Sequence, residues 1–278
     1  MVLYDVIGKT YAQTREADPR IANKLLKILA SSQVSSVADI GAGTGSYALV
    51  LAENGYRVSA IEPSTVMREQ AISHPAIEWI DGSAESLPLS NQAVDAAIIM
   101  LAFHHFADYR HALNEIYRVV GSGQVIFFTY APTMVSSFWL TEYFPSFARD
   151  VESTFLPIPK LVEEIQAVAD VVVNVIPFPL PNDLSDAFAA VGWARPELYL
   201  RSSIRSGISS FSKIDDREIE IGLSRLYNDL EKGRWDRKYG HLRQQSHYDA
   251  GYRFVHCQVS LQQLKIDPLE RKGDPSNS

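Results

Sequence analysis

The chain has 278 residues, 46% hydrophobic, 21% charged and 10% aromatic, fractions that exclude a disordered, collagen-like or coiled-coil protein and allow one large domain or two small ones. Its 33 acidic and 26 basic residues give a formal charge of −7; an acidic chain repels polyphosphate, and no basic patch of convincing size offsets this, so nucleic acid is not expected as a partner. The single cysteine, Cys257, excludes an internal disulfide and any multi-cysteine zinc site, and suits a reducing compartment. Met1 to Arg20 holds no apolar leader region, and the longest apolar run, Val94 to Phe103, contains Asp95 and is too short to cross a bilayer. A cytoplasmic protein with no membrane partner is therefore expected.

In chain order, Asp18 and Pro19 supply the N-cap and first position of a helix that runs to Leu29, with Ile21, Leu25, Ile28 and Leu29 on one face. Short β-branched runs bounded by Gly, Pro or charge predict strands over Val37–Ile40, Val58–Ile61, Ile77–Ile80, Val94–Leu101 and Val125–Tyr130. Between them, helical spacing marks Ser46–Asn54, Ser64–Ser73 and Asp108–Val120. Strands alternating with helices mean βαβ units and a parallel sheet. From Ala131 to Pro159 the chain is rich in aromatics and proline and has no clear period. A helix over Lys160–Val168 and a strand over Val171–Ile176 follow. Further helices are predicted around Asp183–Val191 and from about Asp215 to Lys232, the second stopped by Gly233. The last strand is placed at Tyr252–Val259, and the polar tail beyond residue 265 is expected to fray. This divides the chain into an N-terminal segment with a helix (1–35), a core (36–130), a cap region holding the sixth strand near 171–176 (131–250), a completing strand (251–265) and a tail (266–278).

In an open parallel sheet, ligands sit beyond the carboxyl ends of the strands. The first strand runs into Asp39-Ile40-Gly41-Ala42-Gly43-Thr44-Gly45-Ser46. Glycines there allow a tight turn and the close approach of a ligand to backbone N–H groups, at the positive end of the following helix. Glu62 ends the second strand, 21 residues after Gly41, where a carboxylate can accept hydrogen bonds from a ribose diol. A dinucleotide site wants Gly-x-Gly-x-x-Gly. Here the third glycine comes one residue early, which argues against NAD and for a ligand without a pyrophosphate.

These residues resemble a class I S-adenosylmethionine (SAM) dependent methyltransferase, of the broad type 11 small-molecule group related to the ubiquinone- and menaquinone-pathway enzymes. The likeness is carried by Val37-Ala-Asp-Ile-Gly-Ala-Gly-Thr-Gly45, by Glu62-Pro63-Ser64 with Met67 after it, and by Gly82-Ser83-Ala84-Glu85-Ser86-Leu87-Pro88. Val94-Asp95 and Leu101-Ala102-Phe103-His104-His105-Phe106 complete it. The resemblance implies a doubly wound, Rossmann-like α/β fold: a seven-stranded sheet, mostly parallel with an antiparallel last strand, plus a helical cap. It implies that Gly41, Gly43 and Gly45 pack against the methionine portion and ribose of the cofactor, SAM, and that Asp39 organises the loop. Glu62 would hold the ribose hydroxyls, Pro63 and Met67 would flank the adenine, the backbone at Ser83 and Ala84 would reach its ring, and Leu101 and Ala102 would line the methionine side. The family often has Asp where this chain has Ser83, so a carboxylate contact to the adenine amino group is expected to be missing. At the N-terminus (1–35), Tyr4-Asp5, Tyr11 and Arg15 resemble the family's lid; a guanidinium at Arg15 can clamp the cofactor carboxylate, the alternative being a solvated surface charge, and Tyr11 can close the site.

Transfer of a methyl group to a small-molecule acceptor by in-line displacement is the expected function. The alternatives are a SAM-binding sensor or assembly protein without activity and, less in keeping with the loop, an NAD-dependent oxidoreductase. His104 and His105, just past the fourth strand, are the base candidates, since imidazole titrates near neutral pH; the structural alternative is that they cap the turn and pack on the sheet. Neighbouring residues on a turn point differently, so one of the two is expected to face the acceptor. No metal site is expected, because His-His without a nearby Cys or carboxylate pair lacks ligand spacing. Phe138, Trp139, Tyr143, Phe144, Phe147 and Phe155 are either core of the cap or the apolar wall of an acceptor pocket. Arg201 and Arg205 are read as a solvated turn, with an anionic acceptor as the alternative. The acceptor and the oligomeric state are not legible in the sequence.

Overall fold

Asp18, fully buried, opens helix α1 (Pro19–Leu29): its carboxylate accepts from the Arg20 N–H at 2.9 Å, and Pro19 fills a position that needs no donor. In a computed structural model, residues 15–259 are described; Tyr4, Asp5, Tyr11 and the tail 266–278 lie outside them. The strands are β1 (Ser36–Ile40), β2 (Arg57–Ile61), β3 (Ile77–Ile80), β4 (Ala96–Met100), β5 (Gln124–Tyr130) and β6 (Val171–Pro177), with β7 (Leu180–Pro181), β8 (His247–Tyr248) and β9 (Tyr252–Val259) after them. Seven form one sheet in the order β3-β2-β1-β4-β5-β9-β6; β1 to β5 pair in parallel, and β9 runs antiparallel to both β5 and β6. The remaining two, β7 and β8, form a small antiparallel sheet in the cap.

Alternate residues of the central strands feed two cores, because side chains along a strand point to opposite faces. From β4, Ala96, Ile98 and Met100 pack with α1 and α2 (Ser46–Glu53) on one face, while Ala97 and Ile99 pack on the other against α4 (Tyr109–Val120) and α6 (Ile158–Val168). Every residue of β4 and β5 is buried, as a strand covered on both faces requires. The cap, built from α5 (Pro145–Thr154), α7 (Ser202–Ser206), α8 (Asp216–Glu231), α9 (Arg234–Tyr239) and intervening 3-10 turns, shares the first core. Its aromatic centre is tied by Trp139 Nε1 donating to the Trp193 carbonyl and Trp193 Nε1 to the Pro181 carbonyl, each at 2.9 Å.

Two expected elements differ. The helix predicted over Ser64–Ser73 is a single turn, α3 (Thr65–Arg68); Trp79 Nε1 takes the Ile72 carbonyl and the Ile72 N–H goes to Thr44, so the chain leaves the helical path. The helix predicted around Asp183–Val191 is a string of turns instead. Its apolar residues Leu184, Ala187, Phe188 and Val191 are buried as a helical face would be, but Asp186 is drawn inward to pair with Arg15, and Phe188, Val191 and Trp193 donate two or three residues back. In the unperiodic stretch from Ala131 to Pro159 lie two 3-10 segments, Pro132–Ser137 and Trp139–Glu142, and α5.

Candidate functional site

Strand order reverses between β1 and β4, with β2 and β3 on one side and β5 on the other, and the crevice at such a switch is where ligands bind. After β1 the chain curls back so that the N–H groups of Gly41 and Ala42 donate to the Ile61 carbonyl at the end of β2, at 2.9 and 3.0 Å. Gly41 has φ +75°, and a Cβ there would stand 2.6 Å from that of Ala102; only glycine lets the loop lie this close to the end of β4. Gly45, at φ +89°, turns the chain into α2 where a Cβ would meet the Trp79 ring at 2.6 Å. Its constraint is therefore close packing on Trp79, and it lines neither loop-side cavity.

Glu62, 6% exposed, braces the loop from the neighbouring strand. One carboxylate oxygen accepts from the Gly43 N–H and the other from the Ser64 N–H, both at 2.9 Å. Asp39, 2% exposed beneath the loop, is pushed up to about 7 by burial and by repulsion from Glu62, against one backbone hydrogen bond from Ala48. The two acids thus face different spaces: Asp39 lies beneath the loop at the edge of a small recess, whereas Glu62 faces a larger cavity.

That cavity, about 690 Å³, is bounded by Gly41, Gly43, Glu62, Pro63, Met67, Gly82, Ser83, Ala84, Glu85 and the run Met100 to Ala102, with His105 and Phe106 closing the far side. A smaller recess adjoins the loop and brings Arg15, Glu16, Asp39, Thr44, Ser46, Tyr47 and Asp186 together. There the Arg15 guanidinium pairs with Asp186 at 2.5 Å, and burial pushes the Asp186 carboxyl up despite that partner. So the structure gathers Arg15, Asp39, Gly41, Gly43, Glu62, Pro63, Met67, Ser83, Ala84, Leu101 and Ala102 around one crevice; Gly45 stands behind it and Tyr11 is outside the described residues.

A second cavity, of about 640 Å³, opens beside the first and shares Leu101 with it. Its wall includes Tyr130, Phe138, Phe147, Phe155, Phe188 and Tyr252. Of the six cap aromatics singled out in the sequence, Phe138, Phe147 and Phe155 reach the cavity, while Trp139, Tyr143 and Phe144 are core. Arg201 and Arg205 line neither cavity; Arg205 instead donates to the Tyr199 carbonyl. Leu101 has φ +53°, a conformation that is strained for a bulky residue and tends to mark functional sites. Its N–H donates to the Phe128 carbonyl at 2.8 Å.

The two histidines divide between the cavities: His105 lines the loop-side one and His104 the aromatic one. Their ring centroids are 3.8 Å apart, and His104 stacks on Phe155 at 4.1 Å. Burial first, then repulsion from Lys213 and Arg15, brings His105 down to about 4. Burial, with His105, Lys213 and Arg15 nearby, also holds His104 well below the usual imidazole range. Burial thus favours the neutral form of both rings. Among the described residues no group of three or more His, Cys, Asp or Glu side chains is placed to hold a metal ion. No helix among them is long and apolar enough to cross a membrane.

Sequence reasoning missed Met100 and Phe106 on the cofactor side and Tyr130, Phe188 and Tyr252 in the aromatic wall. Tyr130 and Tyr252 are register partners across β5 and β9, at the end of one strand and the start of the other, so their position past the sheet's carboxyl edge was a usable signal. Phe188 had none, since its segment was read as a helix.

A family model described as a methyltransferase domain matches residues 38–128. A solved structure from Anabaena variabilis, described as a methyltransferase from an antibiotic biosynthesis pathway, is 42% identical with a TM-score of 0.85, over 89% of this chain and 100% of that one. An uncharacterized methyltransferase of Oceanobacillus iheyensis is 31% identical over 58% of this chain and 80% of its own. The malonyl-acyl-carrier-protein O-methyltransferase of Salmonella typhimurium is 34% identical over 43% of this chain and 48% of its own. The Salmonella enzyme is thus matched over about half of its length and the Oceanobacillus protein over most of it. By sequence, fold and strand order, the chain belongs to the class I SAM-dependent methyltransferases.

Proposed function

We propose that this protein transfers a methyl group from SAM to a small-molecule acceptor. The observation that carries the reading is the pair of cavities meeting at Leu101, one walled by the glycine loop and Glu62 and the other by aromatic rings. The fit to the cofactor rests on shape and on donors: the cradle at Gly41 is one that a Cβ would fill, and Glu62 presents a carboxylate already fixed by two backbone N–H groups. In this reading Glu62 holds the ribose hydroxyls, and Pro63, Met67 and the Ser83–Ala84 backbone surround the adenine. The recess at Arg15, Asp39 and Asp186 receives the zwitterionic amino-acid end. Ser83 offers a hydroxyl where a carboxylate is common in the family, so adenine recognition there rests on the backbone.

When bound, SAM supplies an electrophilic methyl group on a cationic sulfur. The chain's own part is to fix the line between the two cavities, exclude water and accept a proton where the acceptor carries one. Alignment of this kind contributes roughly 7–11 kcal/mol to rate, whereas a general base adds about 10²–10⁴-fold. Positioning therefore comes first. A cytoplasmic setting belongs to the same reading and is supported by a lone, buried Cys257 whose thiol burial pushes up to about 12, which makes it unreactive.

Calorimetry tests the proposal: SAM should bind saturably to the folded protein, and incubation with acceptors should release S-adenosylhomocysteine. Absence of binding at millimolar SAM would overturn it, and binding without product across a broad acceptor panel would leave a sensor rather than an enzyme.

A further inference from the structure

The aromatic cavity carries a statement about what enters it. Its lining holds the rings of Tyr130, Phe138, Phe147, Phe155, Phe188 and Tyr252, with aliphatic and small residues and the serines Ser209 and Ser210 between them. Among the described residues of that lining, Arg15 is the one charged side chain apart from His104, and it is engaged by Asp186. Lys213, close enough to influence both histidines, is itself paired with Asp150 at 2.8 Å. A carboxylate or phosphate entering here would leave water without gaining an unspent positive partner, and an ammonium would face two cations; burying either is unfavourable.

His104 is the polar group that this wall leaves unsatisfied. Its Nδ1 is sealed from water with no hydrogen-bond partner among the described residues, whereas buried polar atoms are paired in the great majority of cases. The ring is held in place by Phe155 on one side and His105 on the other, so its orientation is fixed before anything binds. Leu101, the residue common to both cavities, stands three residues before it.

Resting on the two-cavity reading above, we propose that the acceptor is an uncharged, flat, hydroxyl-bearing molecule of the phenol or enol type, whose hydroxyl bonds to the His104 imidazole. The hydroxyl oxygen forms the new bond to the methyl carbon as the carbon–sulfur bond breaks and its electron pair stays on sulfur. The hydroxyl proton passes to Nε2, the nitrogen of this cavity-lining ring that is not sealed, which returns it to water once the product has left. S-adenosylhomocysteine, the methyl ether and one proton account for every atom and charge. An imidazole that burial keeps neutral is present in its accepting form, and it asks for a hydroxyl more acidic than an alcohol's. His105, on the cofactor side, has no part in this transfer.

Binding of 2-naphthol and 2-naphthoate to the protein loaded with S-adenosylhomocysteine compares two flat ligands of similar size that differ in charge. The neutral ligand should bind about tenfold more tightly or better, since the carboxylate loses its hydration unpaired. In turnover, the wild type should methylate 2-naphthol or another simple phenol. His104→Gln should lower that kcat by about 10²-fold while leaving the affinity for S-adenosylhomocysteine within about threefold, which also shows that the variant is folded. Naphthoate binding as tightly as naphthol, no phenol being methylated, or a variant with kcat close to wild type would each overturn the proposal. The naphthol–naphthoate comparison needs no variant. Failure of S-adenosylhomocysteine itself to bind would instead remove the cofactor reading, and this proposal with it.

Discussion

Asp39→Asn should stabilise the protein at neutral pH, because the wild-type carboxyl is buried under the glycine loop beside a second acid. Burial and the charge of Glu62 move its ionisation from the ordinary 3.8 to about 7. At 1.36 kcal/mol for each tenfold change in proton affinity, that difference corresponds to about 4 kcal/mol, and we take about 2–4 kcal/mol as the working range. The sign follows from proton counts: between pH 4 and 7 the folded state keeps a proton on Asp39 that the unfolded chain has released, so this group's contribution to stability falls as pH rises through that window and is level above it. Asparagine can retain an acceptor for the Ala48 N–H while carrying no charge. The stability difference between variant and wild type should be near zero at pH 4 and grow to about 2–4 kcal/mol in favour of Asn by pH 8. Urea unfolding of both proteins in parallel from pH 4 to 8 measures it, since carboxylates elsewhere contribute equally to both. A constant difference across that range, or an Asn variant less stable at pH 8, would refute the reasoning.

Other outcomes follow from the same residues. Glu62→Gln replaces a carboxylate that accepts from Gly43 and Ser64 with an amide that can satisfy only one of them; SAM affinity measured by calorimetry should fall by about 1–3 kcal/mol, the scale of a hydrogen bond to a charged group. Gly41→Ala places a Cβ 2.6 Å from Ala102 at φ +75° and should lower stability to urea by about 1–3 kcal/mol through strain and overpacking, with loss of cofactor binding. Asp18→Ala removes the α1 N-cap and the acceptor for the Ser185 N–H and hydroxyl, so unfolding should be easier by about 1–3 kcal/mol. Because the Asp18 carboxyl is held at about 2 by hydrogen bonds from Arg20 and Ser185, which outweigh the opposing effect of burial, its contribution is present above pH 4 and disappears as pH falls through 2. The wild-type advantage over Asp18→Ala should vanish in the same acid range.

The regular half of the molecule was legible because it obeys two periods. Strands β1 to β5 are short apolar runs, of which β1, β4 and β5 are buried on both faces, and α1 and α4 carry clear apolar stripes, so each boundary fell within two residues of its expected place. Glu62 was found by its spacing from Gly41, which the right-handed crossover from β1 to β2 fixes. The cap resisted for a different reason. Its aromatic residues are buried in a shared core by 3-10 turns and short helices, so hydrophobicity there has no single period to read. Leu184, Ala187, Phe188 and Val191 have helical spacing and are buried, yet the ion pair of Asp186 with Arg15 pulls the backbone into turns; an interaction across 171 residues of sequence leaves no local trace. The acceptor cavity shares that property, since its wall is drawn from segments as distant as Leu101 and Tyr252. The division of labour between His104 and His105 could be anticipated only as a difference in direction, not assigned.

A crystal structure of the complex with S-adenosylhomocysteine tests the account most directly. The ribose hydroxyls should lie within hydrogen-bonding distance of the Glu62 carboxylate, the adenine between Met67 and the Ser83–Ala84 turn, and the sulfur beside Leu101, pointing toward the ring of His104. Density for the ligand anywhere else, or a sulfur directed away from the aromatic cavity, would contradict the account.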